Sequence, residues 1–180
     1  MKRLARWALF AAALAAVLVL IRVPANDEVA GIGKPAPELS ARTIVSPAQP
    51  RRIAEYRGHV VLLNVWATWC PPCLEEMPSL QALHEELHGS GLRVVAVSID
   101  DPGSENDIRD FVREQGLTFE ILHDAGAGIM TAYAVGGVPQ TFLIDRSGRI
   151  RYKSFVTDWR TEDNRRLVED VLAESDARGN

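Results

Sequence analysis

The sequence contains two cysteines, and they stand three residues apart in Trp69-Cys70-Pro71-Pro72-Cys73. This pair directly follows an apolar run, VVLLNVW at residues 60–66, which has the length of a buried strand. We therefore predict a dithiol at the point where a strand turns into a helix. Two thiols at this spacing can form and break a disulfide, so the pattern favours reversible thiol–disulfide exchange.

A purely structural role fits this cysteine pair poorly. In the chain-entropy model, closing a four-residue loop stabilises a fold by roughly 2 kcal/mol, against about 4.7 kcal/mol for a 100-residue loop. A structural zinc site needs four ligands, and no second Cys/His pair has fitting spacing. His84 and His88 share a helical face, which we interpret as a solvated helix surface. We predict neither a metal nor a cofactor.

The two cysteines are expected to have different roles. A helix N-terminus lowers a thiol pKa through unpaired N–H groups and the positive end of its dipole. Cys70 stands at that end and is the predicted nucleophile, whereas Cys73, one turn deeper, would attack the mixed disulfide and release the substrate. Pro71 and Pro72 suit the first helical positions. They also remove two N–H donors, which leaves the net direction of the Cys70 pKa open at this point.

The N-terminus carries an apolar segment of fifteen residues, 7–21, between basic residues at Arg6 and Arg22. This length is at the upper limit of a signal-peptide core and short for a spanning helix, although flanking arginines can extend the usable span. Because Val23-Pro24-Ala25 is an imperfect cleavage site, we favour an uncleaved anchor over a removed signal peptide. In both cases the rest of the chain is carried across the membrane. We expect a single-pass protein of the inner (cytoplasmic) membrane with its catalytic domain on the periplasmic side.

The remainder of the chain is acidic. Residues 26–180 hold 16 basic and 24 acidic residues, a net charge near −8, because the first 25 residues contain four basic residues and no acidic ones. An acidic domain without a basic stripe argues against nucleic acid as a partner. We divide the chain into an anchor or signal segment (1–25), a linker (26–37), one domain (38–174) and a tail (175–180).

Strand and helix patterns alternate along the domain. We predict strands at 39–45 and 52–56 around a turn at 46–50, then at 60–66, 93–99, 118–122, 141–144 and 150–155. Helices are predicted at 70–87, after a cap made by Ser104 and Asp107, at 127–134, and from about Thr161. This order is typical of an α/β fold with a central mixed β-sheet flanked by helices.

At this point the chain resembles the thioredoxin-like superfamily, and within it the membrane-anchored, extracytoplasmic thiol–disulfide oxidoreductases of the TlpA/ResA type. The match rests on VVLLNVWATWCPPCLEEMPSL at residues 60–80 and GGVPQTFLID at residues 136–145, with the N-terminal segment as support, and it covers roughly residues 33–173. It implies a thioredoxin-like fold with an N-terminal hairpin. The separation of 66 residues between Cys73 and Pro139 leaves room for an inserted strand and helix.

The resemblance also implies roles for residues near the dithiol. Pro139 would have a cis peptide bond and face the cysteines, and Val138 would present its backbone to an extended substrate, as in strand addition. Trp69 would form an apolar platform beside the reactive sulfur; the alternative is a tryptophan packed under a loop.

Proton transfer needs a separate candidate, because Asn64 stands where thioredoxin has a buried, titratable aspartate. The acidic residue Glu76 shares a core-facing helical stripe with Cys73, Leu80, Leu83 and Leu87, whereas its neighbour carboxylates point elsewhere. A desolvated carboxylate has a raised pKa and can exchange protons near neutral pH. Spacing alone leaves a solvated glutamate as the alternative, and the family's glutamate at this position favours the catalytic role.

The expected activity is that of a reductase. It would take electrons from a transmembrane thiol reductant and reduce disulfides in exported proteins, with apocytochrome c or copper-site proteins as the substrates that the resemblance suggests. Two alternatives stay open. A thiol peroxidase on the same fold would need an arginine near one reactive cysteine, and a metallochaperone would hold Cu(I) between two soft thiolates.

Overall fold

The middle of the domain is built on two parallel strands, β3 (Val60–Trp66) and β4 (Leu92–Ser98), with β6 (Gln140–Ile144) antiparallel to β3 on its other side. All seven residues of β3 are buried. A continuous apolar run is what a strand covered on both faces requires. The protein is seen here as a computed structural model, which describes residues 30–45, 47–155 and 158–177, with the side chains of 175–177 left aside.

Four shorter strands complete a seven-stranded mixed sheet in the order β2-β1-β5-β4-β3-β6-β7. β5 (Glu120–His123) is parallel to β4, and the hairpin of β1 (Ala41–Thr43) and β2 (Pro50–Arg51) extends that side in antiparallel register. β7 (Ile150–Ser154) is antiparallel to β6 and forms the opposite edge. The N-terminal hairpin that the resemblance implies is thus present, with its second strand at residues 50–51 and not at the predicted 52–56.

Helices cover both faces of the sheet. α1 (Pro71–Leu87), α2 (Glu105–Glu114) and α4 (Glu162–Ala177) share one apolar cluster with Leu62 of β3, and α3 (Gly128–Ala132) packs in the cluster of the other face with Val65. Short 3₁₀ turns lie at Ile53–Tyr56 and His88–Ser90. Two strands and two helices lie between α1 and Pro139 in the chain. This segment has room for the inserted strand and helix that the resemblance implies. The fold is thioredoxin-like, as predicted.

The sheet brings two distant loops to one edge. Val65 pairs with Gln140 in the antiparallel register of β3 and β6, so the end of β3 and the start of β6 coincide. The loop before Cys70 leaves the first strand there, and Pro139 enters the second. The topology therefore places the dithiol and Pro139 at the same end of the sheet.

Two local predictions are wrong. The predicted strand at 52–56 is a 3₁₀ turn, in which the buried side chains of Ile53 and Tyr56 lie three residues apart. A 3₁₀ turn aligns positions i and i+3, whereas a strand would have turned them to opposite faces. Ser104 does start α2, but its side chain makes no capping hydrogen bond. Its backbone (φ −82°, ψ 8°) lacks the extended conformation that aims a capping oxygen at the first turn.

The structure describes part of the predicted linker but none of the predicted anchor. Ala30 and Ala36 are buried, the Gly33 N–H donates to the Ile150 carbonyl at 2.7 Å, and the Ile150 N–H donates to the Lys34 carbonyl at 2.9 Å. Residues 30–37 of the predicted linker are thus packed along β7. The predicted anchor lies outside the described residues. Within the described ranges, no helix is long and apolar enough to cross a bilayer.

Candidate active site

The junction of β3 and α1 carries the dithiol. Cys70 and Cys73 form a disulfide with a Cα–Cα distance of 5.3 Å. Cys70 is the N-cap residue of α1, and its Sγ accepts a hydrogen bond from the Cys73 N–H at 3.3 Å. A thiolate at this sulfur would meet the same N–H and the positive end of the helix dipole. The geometry therefore suits the predicted nucleophile.

The first turn of α1 is short of hydrogen-bond donors. Pro71 and Pro72 occupy its first two positions and lack an N–H, and this turn contains no acidic residue. Cys73 and Leu74 supply the N–H groups that remain, and Leu74 donates to the Cys70 carbonyl at 3.2 Å. The Cys73 N–H is consequently the backbone donor that reaches the Cys70 sulfur, and it is shared with the Cys70 carbonyl, to which it donates at 3.0 Å.

Glu76 lies one turn behind Cys73 and is fully buried, as the helical stripe predicts. Its Oε2 accepts a hydrogen bond from Asn64 Nδ2 at 2.9 Å, and its Oε1 accepts from Trp159 Nε1 at 2.7 Å and from Thr141 Oγ1 at 3.3 Å. Burial raises the pKa of Glu76 to about 7, against the opposing effect of the hydrogen bonds from Trp159, Asn64 and Thr141. Such a carboxyl can give and take protons at neutral pH. The solvated-glutamate alternative is wrong, and the catalytic role stays a prediction.

Trp159 was missed by sequence reasoning. It is fully buried between β7 and α4, and its backbone N–H donates to Ser79 Oγ at 3.0 Å while Ser79 Oγ donates to the Glu76 carbonyl at 2.8 Å. Its indole thus contacts the Glu76 side chain, and its backbone is fixed to the same helical turn. The two residues are 83 positions apart, beyond the reach of any local periodicity.

The peptide bond between Val138 and Pro139 is cis, as the resemblance implies. Val138 is partly buried and packs against the apolar clusters of both sheet faces. Trp69 is 62 % exposed, which contradicts the alternative of a tryptophan packed under a loop. An exposed indole therefore stands next to the disulfide, and the roles of these three residues in substrate binding stay predictions.

The histidine pair lies at the C-terminal end of α1, away from the dithiol. The ring centroids of His84 and His88 are 4.9 Å apart, and the His84 ring also meets Phe119 edge-on at 6.1 Å. His88 is exposed, but His84 is half-buried, so the predicted solvated surface holds for only one of them. Across the part of the chain that the structure describes, no group of three or more His, Cys, Asp or Glu side chains could hold a metal ion.

Comparison with known proteins agrees with this geometry. The model of the AhpC/TSA family matches residues 32–153 of the chain. The chain belongs to this family. The thiol-disulfide oxidoreductase ResA of Geobacillus thermodenitrificans is 35 % identical over 135 residues, which cover 74 % of this chain and 73 % of the relative. The ResA of Oceanobacillus iheyensis is 34 % identical over 127 residues, which cover 69 % of this chain and 65 % of the relative.

A solved structure supports the same assignment. The crystal structure assigned as the thiol:disulfide interchange protein DsbE of Chlorobium tepidum superposes with a TM-score of 0.67 at 28 % identity, covering 80 % of this chain and 97 % of that one. This member of the AhpC/TSA family is a thiol–disulfide oxidoreductase with a thioredoxin-like fold. Its two cysteines form the disulfide between β3 and α1.

Proposed function

We propose that this oxidoreductase is a reductase of exported proteins. In this proposal residues 7–21 anchor it in the inner (cytoplasmic) membrane, the domain lies on the periplasmic side, and a transmembrane thiol reductant supplies its electrons. The observation that carries the proposal is a disulfide at a helix N-terminus with a buried carboxyl of pKa about 7 one turn behind it. The family suggests apocytochrome c and copper-site proteins as substrates.

The first step is the attack of the Cys70 thiolate on a substrate disulfide. The sulfur–sulfur bond of the substrate breaks, one substrate sulfur leaves as a thiolate and takes up a proton, and Cys70 becomes linked to the other substrate sulfur. Trp69, next to Cys70 in the chain, and Val138, at the same end of the sheet, would align the substrate chain. The backbone N–H of Cys73 stabilises the Cys70 thiolate before attack.

The second step releases the product. The Cys73 thiol gives its proton to the Glu76 carboxylate, and the resulting thiolate attacks the Cys70 sulfur. The bond between Cys70 and the substrate breaks, the Cys70–Cys73 disulfide forms, and the second substrate sulfur leaves as a thiolate that takes up a proton while Glu76 releases its own to solvent. Two electrons have passed to the substrate, and the dithiol of the membrane reductant restores the enzyme. A proton acceptor whose pKa is near the operating pH is best suited to this step.

Trapping in membranes of the producing bacterium tests the roles. Full-length Cys73→Ala should accumulate mixed disulfides through Cys70, and mass spectrometry of the trapped species would name the substrates. The matched variant Cys70→Ala should trap none. Equal trapping by the two variants would show that the assignment of the nucleophile is wrong.

The same proteins separate the two alternatives. A Cys70-only variant that consumes peroxide as fast as wild type would favour a thiol peroxidase, because the reductase needs Cys73 to complete its cycle. Stoichiometric retention of Cu(I) by the reduced protein, without reduction of insulin disulfides, would favour a metallochaperone. We expect wild type to reduce insulin and the single-cysteine variant to lose turnover.

A further inference from the structure

We propose that Asp100 is a positioning residue for the redox centre: its carboxylate holds Thr68 and thereby fixes the loop that carries Trp69 and Cys70. This inference deepens the proposed function, since it concerns the same dithiol. It rests on hydrogen bonds between the loop after β3 and the segment that directly follows β4. Neither Asp100 nor Thr68 belongs to the residues that thiol exchange itself requires.

The contact between Asp100 and Thr68 is threefold. The Thr68 N–H lies 3.2 Å from Asp100 Oδ1 and 3.1 Å from Oδ2, and Thr68 Oγ1 donates to Oδ1 at 2.5 Å. Both donors of one loop residue therefore converge on one carboxylate. Asp100 is only 2 % exposed, so little water competes for these bonds.

Asp100 is itself held by hydrogen bonds to neighbouring residues of the sheet. Ser98 Oγ donates to Asp100 Oδ2 at 2.6 Å and accepts from the Asp100 N–H at 3.1 Å. His123 Nε2 lies 2.9 Å from the Asp100 carbonyl, and His123 Nδ1 lies 3.4 Å from Glu105 Oε1. The carboxylate is thus joined to β4 through Ser98. The backbone carbonyl of Asp100 is joined to β5 through His123, whose ring also reaches the first turn of α2. A residue held at its side chain and at its backbone can hold a loop in turn.

Fold stability alone does not explain a carboxylate in this place. The donors to the Asp100 carboxylate described above are neutral groups, so they do not offset the cost of burying its charge as an opposite charge would. Hydrogen bonds to an ionised acceptor are, however, shorter and stronger than neutral ones and impose a geometry. The arrangement is therefore better suited to orienting the loop than to strengthening the core.

The orientation matters most when the dithiol is reduced. The Cys70 N–H donates to the Ala67 carbonyl at 3.2 Å, so the turn that contains Thr68 also sets the position of Cys70. Once the bond between the sulfurs is broken, Cys70 Sγ stays near the Cys73 N–H only if this turn keeps its shape. Asp100 thus maintains the hydrogen bond from the Cys73 N–H to the Cys70 sulfur, a contact of the kind with which a helix N-terminus stabilises a thiolate.

Two substitutions at Thr68, of which Thr68→Val is isosteric, test this role without changing any charge. Thr68→Val removes the hydroxyl donor, and Thr68→Ser keeps it. We measure the rate of iodoacetamide alkylation of Cys70 against pH in the reduced full-length protein with Cys73→Ala as background. In Thr68→Val we expect the inflection to move to higher pH by about one unit, and alkylation at pH 7 to fall about tenfold, because one unit is a tenfold change. Thr68→Ser should stay within about twofold of the background.

Asp100→Asn distinguishes an effect of the loop position on the Cys70 pKa from an effect of the Asp100 charge. This change weakens the hold on Thr68 but also removes a negative charge, which by itself would favour a thiolate. We expect the inflection of the alkylation–pH profile to move to higher pH, as in Thr68→Val. A fall in the inflection in Asp100→Asn, with Thr68→Val unchanged, would overturn the proposal, because Asp100 would then act through its charge.

Unfolding experiments on the same variants exclude a merely structural role. A lower unfolding midpoint in Thr68→Val with an unchanged pH profile of alkylation would contradict the proposal. If Thr68→Val does not fold, Thr68→Ala and Asp100→Asn give the same two readouts. Because alkylation needs no protein substrate, the result is independent of the trapping experiment: a failure to trap substrates would count against the proposed function alone.

Discussion

At the scale of single residues, the site depends on the carboxyl group of Glu76, which is buried in the core. Glu76 could be predicted from the sequence because Cys73, Glu76 and Leu80 follow helical spacing, and their burial needs only that α1 packs on the sheet. Its partners could not. Thr141 and Trp159 reach Glu76 only through the pairing of β6 with β3 and the packing of α4. These contacts depend on tertiary structure and leave no local pattern.

Glu76 should make the stability of the protein fall as pH rises. Its folded pKa of about 7 lies above the ordinary value of 4.5, so the folded state binds more protons between these two values. The free energy of unfolding should therefore be highest below pH 4.5 as far as this group is concerned, and should decline up to about pH 7 by at most about 3 kcal/mol.

Urea unfolding of oxidised Glu76→Gln measures this effect. The variant should lack the decline between pH 4.5 and 7, because a neutral amide does not titrate. Asn64 can turn its Oδ1, which has no hydrogen-bond partner among the described residues, toward the new amide. Glu75→Gln is the matched control, since Glu75 is the exposed neighbour on the same helix. A decline that persists in Glu76→Gln would assign it to another group.

Trp159 is expected to tune Glu76. Its indole N–H stabilises the carboxylate form, so Trp159→Phe should raise the pKa of Glu76 above 7. Titration of the Glu76 carboxyl carbon by NMR gives this value directly. Trp66→Phe is the control in the same core, because the buried Trp66 Nε1 has no hydrogen-bond partner within the described residues. Equal shifts in the two variants would point to altered packing in place of the lost bond.

At the scale of elements, the N-terminus of α1 controls the reactive sulfur. Pro72→Lys places a cation in the first turn, so it should lower the pKa of Cys70 by roughly half a unit in low salt and by less in high salt. The pH profile of iodoacetamide alkylation in the Cys73→Ala background measures the shift. Pro78→Lys puts the same charge on another exposed proline two turns down the helix and should leave the profile unchanged. An equal shift in both variants would contradict a local effect.

Individual elements differed in how far the sequence could specify them. β3 and α1 were predicted within a residue, because a seven-residue apolar run and a stripe with 3-4 spacing each fit one structure. The segment at 52–56 was assigned wrongly because Ile53 and Tyr56 are apolar in a short stretch, and short apolar patterns do not distinguish strands from turns. Burial against the neighbouring sheet decided its structure.

At the scale of the whole molecule, the fold class followed from the alternation of elements, whereas the strand order did not. β1 lies beside β5 although about 80 residues separate them along the chain, as the antiparallel pairing of Arg42 with His123 and of Thr43 with Leu122 shows. The long-range pairing of β3 with β6 likewise brings Pro139 to the end of the sheet that carries the dithiol. Sequence reasoning reached that proximity through the resemblance alone.

The proposed anchor gives a prediction for the entire chain. Deletion of residues 1–25 should move the protein from a carbonate-resistant membrane fraction to a soluble one, because about fifteen apolar residues and their basic flanks supply the attachment. Replacing Arg22 by Gln is the control, since it keeps the apolar segment. Recovery of full-length protein in the soluble fraction would exclude an uncleaved anchor.

The recessed sulfurs have a consequence for which molecules can exchange electrons with the protein. Cys73 is fully buried and Cys70 is only 4 % exposed, so little of the disulfide is accessible to solvent. Rates of thiol exchange depend on access to the attacked sulfur as well as on thiol acidity. Small thiols and oxidants in the surroundings should therefore exchange slowly with this disulfide, while a partner that binds beside Cys70 and brings its own sulfur to it should exchange faster. Slow exchange with such molecules would let the protein act as a reductant in an oxidising compartment without losing its electrons to other acceptors.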